Sequence, residues 1–275
     1  MDVFIKKFRK FKFQFISALL CLSFFSGCTT LDLTLPIADL ESPQHQGRLT
    51  GFGVEYTGAS GQSIQLTPDA SLRPIASATV KHNIENIFIT KPGINVYVLN
   101  RLTFTAGLIE SKSPFLKMKV SLLSGYREDG EAGRWHASLG TEVSYQRAEK
   151  SGSQNGIGGA SGFPWSGKSD LLNGKVGLSI GYQVWKRFTP FIGYNYQQFQ
   201  TYGSINQTAA GSDPGGQFSY QPEIGRINTV GIGLDWKPSP TFYIMPQVLY
   251  YHLKWYDKDI SDVGGSLKIC FVPVQ

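Results

Sequence analysis

A two-residue period runs from about residue 48 to the C-terminus, and it constrains this chain more than any other feature. Apolar and aromatic residues alternate with Gly, Thr, Ser and charged ones, which is the period of a strand, because successive strand side chains point to opposite faces. In 175–185, Val176, Leu178, Ile180, Tyr182 and Val184 fall on one face, with Lys175, Gly177, Ser179, Gly181 and Gln183 on the other. Stretch 135–146 repeats the pattern, with Leu139, Val143 and Tyr145 opposed to Ser138, Gly140, Glu142 and Ser144. Leu116, Met118 and Val120 likewise oppose Lys117 and Lys119, and Val230, Ile232 and Leu234 oppose Gly231, Gly233 and Asp235.

Such runs predict about ten strands, near 48–57, 93–99, 101–109, 115–125, 135–147, 174–186, 188–202, 227–237, 241–256 and 265–273. Several exceed the roughly 5–6 residues usual in soluble strands. Connections at Asn100-Arg101, Lys186-Arg187 and 237–240 are tight, whereas 58–92, 148–173 and 203–226 read as long loops rich in Gly, Ser, Asn and Gln. Pro246 and Tyr250-Tyr251 blur the register of 241–256.

Alternation alone leaves open which face is inside. A soluble carrier barrel would turn the apolar set inward. Three features turn it outward to lipid. Strand lengths match the roughly 9–11 residues that cross a bilayer at a tilt. Aromatics such as Trp135, Trp185, Phe188, Trp236 and Trp255 gather toward strand ends, as interfacial girdles do. The polar face is rich in Gly and Ser, which suit a narrow interior better than a watered strand surface. Tight turns at one end and long loops at the other complete a resemblance to the bacterial outer-membrane β-barrels over about 48–275, carried by pattern rather than by a motif. It implies an all-β fold, an antiparallel up-and-down transmembrane barrel of about ten strands. Gln275 departs from the terminal aromatic common in such chains, and Phe271 stands in for it.

Inside, this orientation collects Glu55, Lys117, Lys119, Glu142, Lys175, Asp235 and Lys268. The reverse would cost about 2–4 kcal/mol for each Lys at mid-membrane. A mixed-sign interior of a small barrel reads as a paired network that plugs the lumen, since barrels of about eight strands are filled by side chains.

The N-terminus carries an address. Lys6, Lys7, Arg9, Lys10 and Lys12 precede a mostly apolar run, 13–25, that ends at Ser26-Gly27-Cys28, the make-up of a secretory signal peptide over 1–27. Its last residues resemble the lipobox of bacterial lipoproteins, with Phe25 where that pattern usually has Leu. The resemblance implies acylation of Cys28, a lipidated linker over 28–47 and a barrel domain over 48–275. Thr29, in place of an inner-membrane retention Asp, implies delivery to the outer membrane. An ordinary signal peptide or an uncleaved anchor with an incidental Cys28 is the alternative. Removing 1–27 lowers the 26 basic and 20 acidic residues to 21 and 19, so the apparent basicity belongs mostly to the leader and gives no reason to expect nucleic acid. Cys21 leaves with the leader and Cys28 carries lipid, so Cys270 is left without a disulfide partner.

Two motifs look chemical. Gly162 to Ser169 matches GxxxxGK[ST], but no buried strand precedes it, no helix follows and Pro164 stiffens it, so nucleotide binding is not expected. Of His45, His82, His136 and His252, the last lies before Asp257, Asp259 and Asp262, the only hint of a rim site; a solvated acidic loop is the plainer reading. His136 reads as a lumen hydrogen-bonder. No Cys/His spacing suits a metal, and no cofactor or catalytic residue is expected. The sequence thus predicts an envelope barrel of non-enzymatic role, either a narrow pore or a closed barrel displaying loops. Its expected partners are outer-membrane lipid and the barrel-assembly and lipoprotein-sorting machineries. A rim-site hydrolase, or a lipid-anchored soluble barrel holding an apolar ligand, is the alternative.

Overall fold

In a computed structural model of the chain, the described residues are 31–37, 39–44, 50–68, 80–123, 132–154, 163–207 and 216–273. The leader, Cys28, Thr29 and His45 lie outside them. Eleven strands form among these residues: β1 (Leu31–Pro36), β2 (Thr50–Pro68), β3 (Val80–Val98), β4 (Leu102–Ile109), β5 (Ser113–Ser121), β6 (Arg134–Gln154), β7 (Phe163–Gln183), β8 (Phe188–Gln207), β9 (Gly216–Ser239), β10 (Phe242–Trp255) and β11 (Lys258–Phe271). Strands β2 to β11 pair antiparallel in chain order, and β2 closes the wall by pairing with both β3 and β11. The fold is therefore an all-β, ten-stranded antiparallel transmembrane barrel, with β1 as an eleventh strand laid against β2.

The alternation sorts the two faces. Val143, Val176, Ile192, Ile232, Val248 and Leu267 are exposed on the outer wall, while the small and polar residues between them are buried. On β7 the outward apolar series runs from Leu172 to Tyr182, with Asp170 and Lys168 above it and Lys186 below. Ten strand residues tilted by 35–45° make a band of about 25 Å, the height of a hydrocarbon layer. A girdle closes its lower edge: Trp135 packs on Tyr182, and Phe188 stacks on Trp236 and meets Trp185 edge-on. Pro246 faces outward, and β10 keeps strict alternation through Tyr250 and Tyr251. The blurred sequence there reflects a register shift against β9 near Phe242, together with a break in that ladder at Pro246.

The long loops expected at 58–92, 148–173 and 203–226 are mostly strand. Ladders such as Ser151↔Ser166 and Ser204↔Ser219 carry β6 to β9 well above the apolar band. Pairing with a neighbour, not intrinsic preference, holds these Gly-, Ser- and Gln-rich stretches extended. The division of turns by end is also less strict. The end bearing 69–79, 155–162 and 208–215 includes tight turns at 110–112 and 256–257, and the opposite end includes the longer 122–133. Phe163 to Ser169 belongs to β7, its ladders running to β6 and β8, so its backbone amides serve a sheet rather than a phosphate cradle.

Candidate functional site

Residues 31–37 and 39–44 run down the inside of the barrel as a strap. β1 pairs with the upper half of β2, from Leu31↔Leu66 to Pro36↔Gly61, whereas β11 pairs only with the lower half, from Val54 to Ala59. The strap thus takes over the edge of β2 where β11 leaves it. Its alternation, Leu31-Asp32-Leu33-Thr34-Leu35, makes a strand, and the three leucines with Ile37 are fully buried in the upper lumen against Ile64, Trp165, Phe199, Tyr251 and Trp255. An apolar upper interior filled from inside departs from the wholly polar lumen that the strand pattern predicts.

Along its length the wall binds the strap through its main chain. Gln146 Oε1 accepts from Thr34 N–H at 2.7 Å, and Gln197 Nε2 donates to the Pro36 carbonyl at 2.9 Å. Asn195 Nδ2 donates to the Asp39 carbonyl at 3.0 Å, and Gln247 both accepts from Leu40 N–H at 2.8 Å and donates to its carbonyl at 2.9 Å. Four wall amides from β6, β8 and β10 thereby satisfy backbone groups that would otherwise be buried unpaired, at a cost of about 1–3 kcal/mol each.

Charge pairs then lock the middle. Asp39 lies 3.1 Å from Lys91, 3.2 Å from Lys175 and 3.0 Å from Lys268. Glu41 lies 3.2 Å from Lys117 and 3.1 Å from Lys268, while Glu142 bridges Lys91 at 2.9 Å and Lys175 at 3.1 Å. Glu55 pairs with Lys117, and Ser42 donates to Asp235. Lys119 donates to the Gln44 carbonyl at 2.8 Å, and Ser138 to the Ser42 carbonyl at 2.9 Å, near the turn-bearing end. His136 bonds Gln183 at 3.1 Å beside them.

The structure places Glu55, Lys117, Lys119, Glu142, Lys175, Asp235 and Lys268 inside, all buried; it joins five of them through residues that sequence reasoning missed, Lys91, Asp39 and Glu41, while Lys119 and Asp235 meet the strap at Gln44 and Ser42. Lys91 fell in a presumed loop and the two acids in a presumed linker. Among the described buried residues of the lumen the wall contributes five lysines against Glu55, Glu142 and Asp235, and the strap's Asp39 and Glu41 balance the two signs. Burying two ions is repaid only when each finds its partners, so the strap and the wall are each incomplete alone.

The outer wall carries a second cluster, just above the apolar band on β9, β10 and β11. His252 Nδ1 lies 2.9 Å from Ser261 Oγ, and His252 Nε2 lies 3.2 Å from Asp259 Oδ1. Asp259 also meets Lys254 at 3.2 Å. Asp257, in the turn, pairs with Lys258 at 3.6 Å, whereas Asp262 alternates to the inner face, where it accepts from Asn86 at 2.8 Å and from the buried Tyr251 at 3.5 Å. The acids beyond His252 are thus strand and turn residues, and only Asp259 joins the histidine. Among the described residues no group of three or more His, Cys, Asp or Glu is placed to hold a metal. Cys270 is buried and free.

No protein-family description matches the sequence, and no curated protein matches it. Among solved structures the chain is similar to the outer membrane protease OmpT of Escherichia coli, at 12% identity over 81% of this chain and 91% of that one, with a TM-score of 0.36. It is also similar to the translocator domain of the autotransporter NalP from Neisseria meningitidis, at 10% identity over 97% of each chain, with a TM-score of 0.33. A third is Neisserial surface protein A, at 12% identity over 80% of this chain and 94% of that one, with a TM-score of 0.27.

Proposed function

We propose that the mature chain is a closed bacterial outer-membrane barrel, sealed by its own N-terminal strap, that works through its outer wall and loop-bearing end rather than by conduction. The neutral lumen network carries this reading, above all Asp39 held between Lys91, Lys175 and Lys268. Ions crossing such a lumen would have to displace charge pairs whose disruption costs about 3–5 kcal/mol apiece. The apolar outer wall supports membrane residence and leaves the soluble-carrier alternative without a water-facing surface.

Acylation of Cys28 belongs to the same proposal, and the strap sets its side. Cys28 precedes Leu31 by three residues, at most about 10 Å of extended chain. Leu31 pairs with Leu66 toward the loop-bearing end. Acyl chains on Cys28 then enter the leaflet beside the long loops, not the one beside the tight turns. The partners are outer-membrane lipid and, during biogenesis, the barrel-assembly and lipoprotein-sorting machineries.

Conductance of the purified full chain in a planar bilayer tests the closed reading. The expected trace is silent, and steady single-channel steps from the wild type would overturn it. Labelled palmitate supplied to expressing cells should appear in the wild type and not in Cys28→Ser.

A further inference from the structure

We propose that Ser261, His252 and Asp259 form a hydrolase site on the outer wall that cleaves a long-chain acyl ester of a phosphate-bearing lipid in the leaflet beside the long loops. The inference is independent of whether the lumen conducts.

The three side chains are ordered as acyl transfer requires. His252 and Ser261 face each other across β10 and β11, and the 2.9 Å contact lets Nδ1 take the hydroxyl proton. Asp259, one outward position higher on β11, lies 3.2 Å from Nε2, so it holds the ring in the tautomer with a free Nδ1 lone pair and stabilises the imidazolium when it forms.

The backbone adds a fourth element. Val263 N–H donates to Asp262 Oδ1 and Gly265 N–H to Ser60 Oγ, both away from β10. Alternation along an antiparallel strand then aims Ser261 N–H toward the same edge, and makes Ser261 and His252 a close, non-hydrogen-bonded pair. On that edge the ladder to β2 covers only Ser266 to Phe271. The nucleophile's own amide therefore faces an edge with no ladder partner, as a donor to a carbonyl oxygen that gains charge.

Depth selects the substrate. One outward pair below the triad, Tyr250 and Val263 are exposed and apolar, the start of the lipid band. One pair above, Lys254, which also meets Asp259 at 3.2 Å, lies beside Arg226 on β9. From bottom to top the wall presents a surface for acyl chains, a nucleophile and a pair of cations for phosphate, which is the order of tail, ester and headgroup in a lipid. In the first step Ser261 Oγ bonds the ester carbonyl carbon, its proton passes to His252, and the alkoxy oxygen leaves with that proton. In the second, water attacks the acyl-serine carbon, gives a proton to His252, and frees the fatty acid as Ser261 recovers its hydrogen.

The test uses the purified full chain in mixed micelles with phosphatidylglycerol carrying labelled acyl chains, and in parallel with lipid A bearing labelled ester-linked chains. Release of labelled fatty acid is expected from one of the two, which identifies the source. It should fall at least about 100-fold in Ser261→Ala and in His252→Ala, with the heat-dependent gel shift of the folded barrel unchanged. Asp259→Asn should slow release while leaving a fluorophosphonate adduct on Ser261 detectable by mass spectrometry. Absence of fatty acid from both lipids, or equal release by wild type and Ser261→Ala, overturns the proposal.

Discussion

Asp39 joins three strands at one carboxylate, since Lys91, Lys175 and Lys268 belong to β3, β7 and β11. Asp39→Asn leaves three buried ammonium groups short of a partner, so it should lower stability by about 3–5 kcal/mol in urea unfolding from lipid vesicles, against about 0–1 kcal/mol for Asp257→Asn in an exposed turn. Glu142→Lys should behave like Asp39→Asn, because it adds a cation between Lys91 and Lys175. Equal midpoints for Glu142→Lys and Asp257→Asn would mean a solvated lumen. The wall half of this network, Lys91 apart, was legible, because inward parity on a strand follows from counting in twos. The strap half was not, although two signals pointed to it. The lumen set read from the sequence holds four lysines against three acids, a surplus that asks for a further carboxylate, and Leu31 to Leu35 alternates as a strand does.

At the scale of elements, the short hairpins carry strain that the sequence does not relieve. Leu99 and Asn100 both have positive φ, 56° and 59°, as do Glu110 and Ser111, at 51° and 57°. Two-residue turns of this hand favour Asn and Gly, because an ordinary side chain in the left-handed region costs about 1–2 kcal/mol. Leu99→Asn should therefore raise the urea midpoint, by up to about 1 kcal/mol of stability. Gly107 has the opposite requirement: a Cβ there would stand 2.1 Å from the Pro92 carbonyl oxygen across the β3–β4 ladder. Gly107→Ala should part those strands and weaken the barrel. Strand existence was readable from period two, but strand length was not. The extensions above the membrane are polar outside and turn only scattered apolar residues such as Trp165 and Ile205 inward, so alternation is weak there and pairing with a neighbour keeps the backbone extended.

For the whole molecule, the strap decides which side each end of the chain occupies. β11 ends opposite Val54, near the turn-bearing end, whereas Leu31 lies near the loop-bearing end. An epitope placed before Leu31 and one within 155–162 should report from the same face of intact cells, and one placed after Gln275 from the other. Detection of the first and last on one face would mean that the strap does not thread the barrel. Ten strands with both barrel ends together were legible from the sequence. The threading was not, because nothing local in 31–44 distinguishes a segment inside its own barrel from a tether outside it.

Sharing β2 between β1 and β11 also gives the wall a seam. From Lys258 to Gly265, β11 is laddered to β10 alone, and the line between it and β2 is backed by the strap rather than stitched by main-chain bonds. Amides of that stretch should exchange with deuterium faster than those of Ser266 to Phe271. The seam also orders the making of the molecule. The strap is synthesised before every wall strand, yet it can be enclosed only when the last strand reaches β2, so the first residues made are the last to leave water. Until then the inner face of the unclosed sheet holds, among the described buried residues, five lysines against three acids, a surplus that Asp39 and Glu41 of the strap remove.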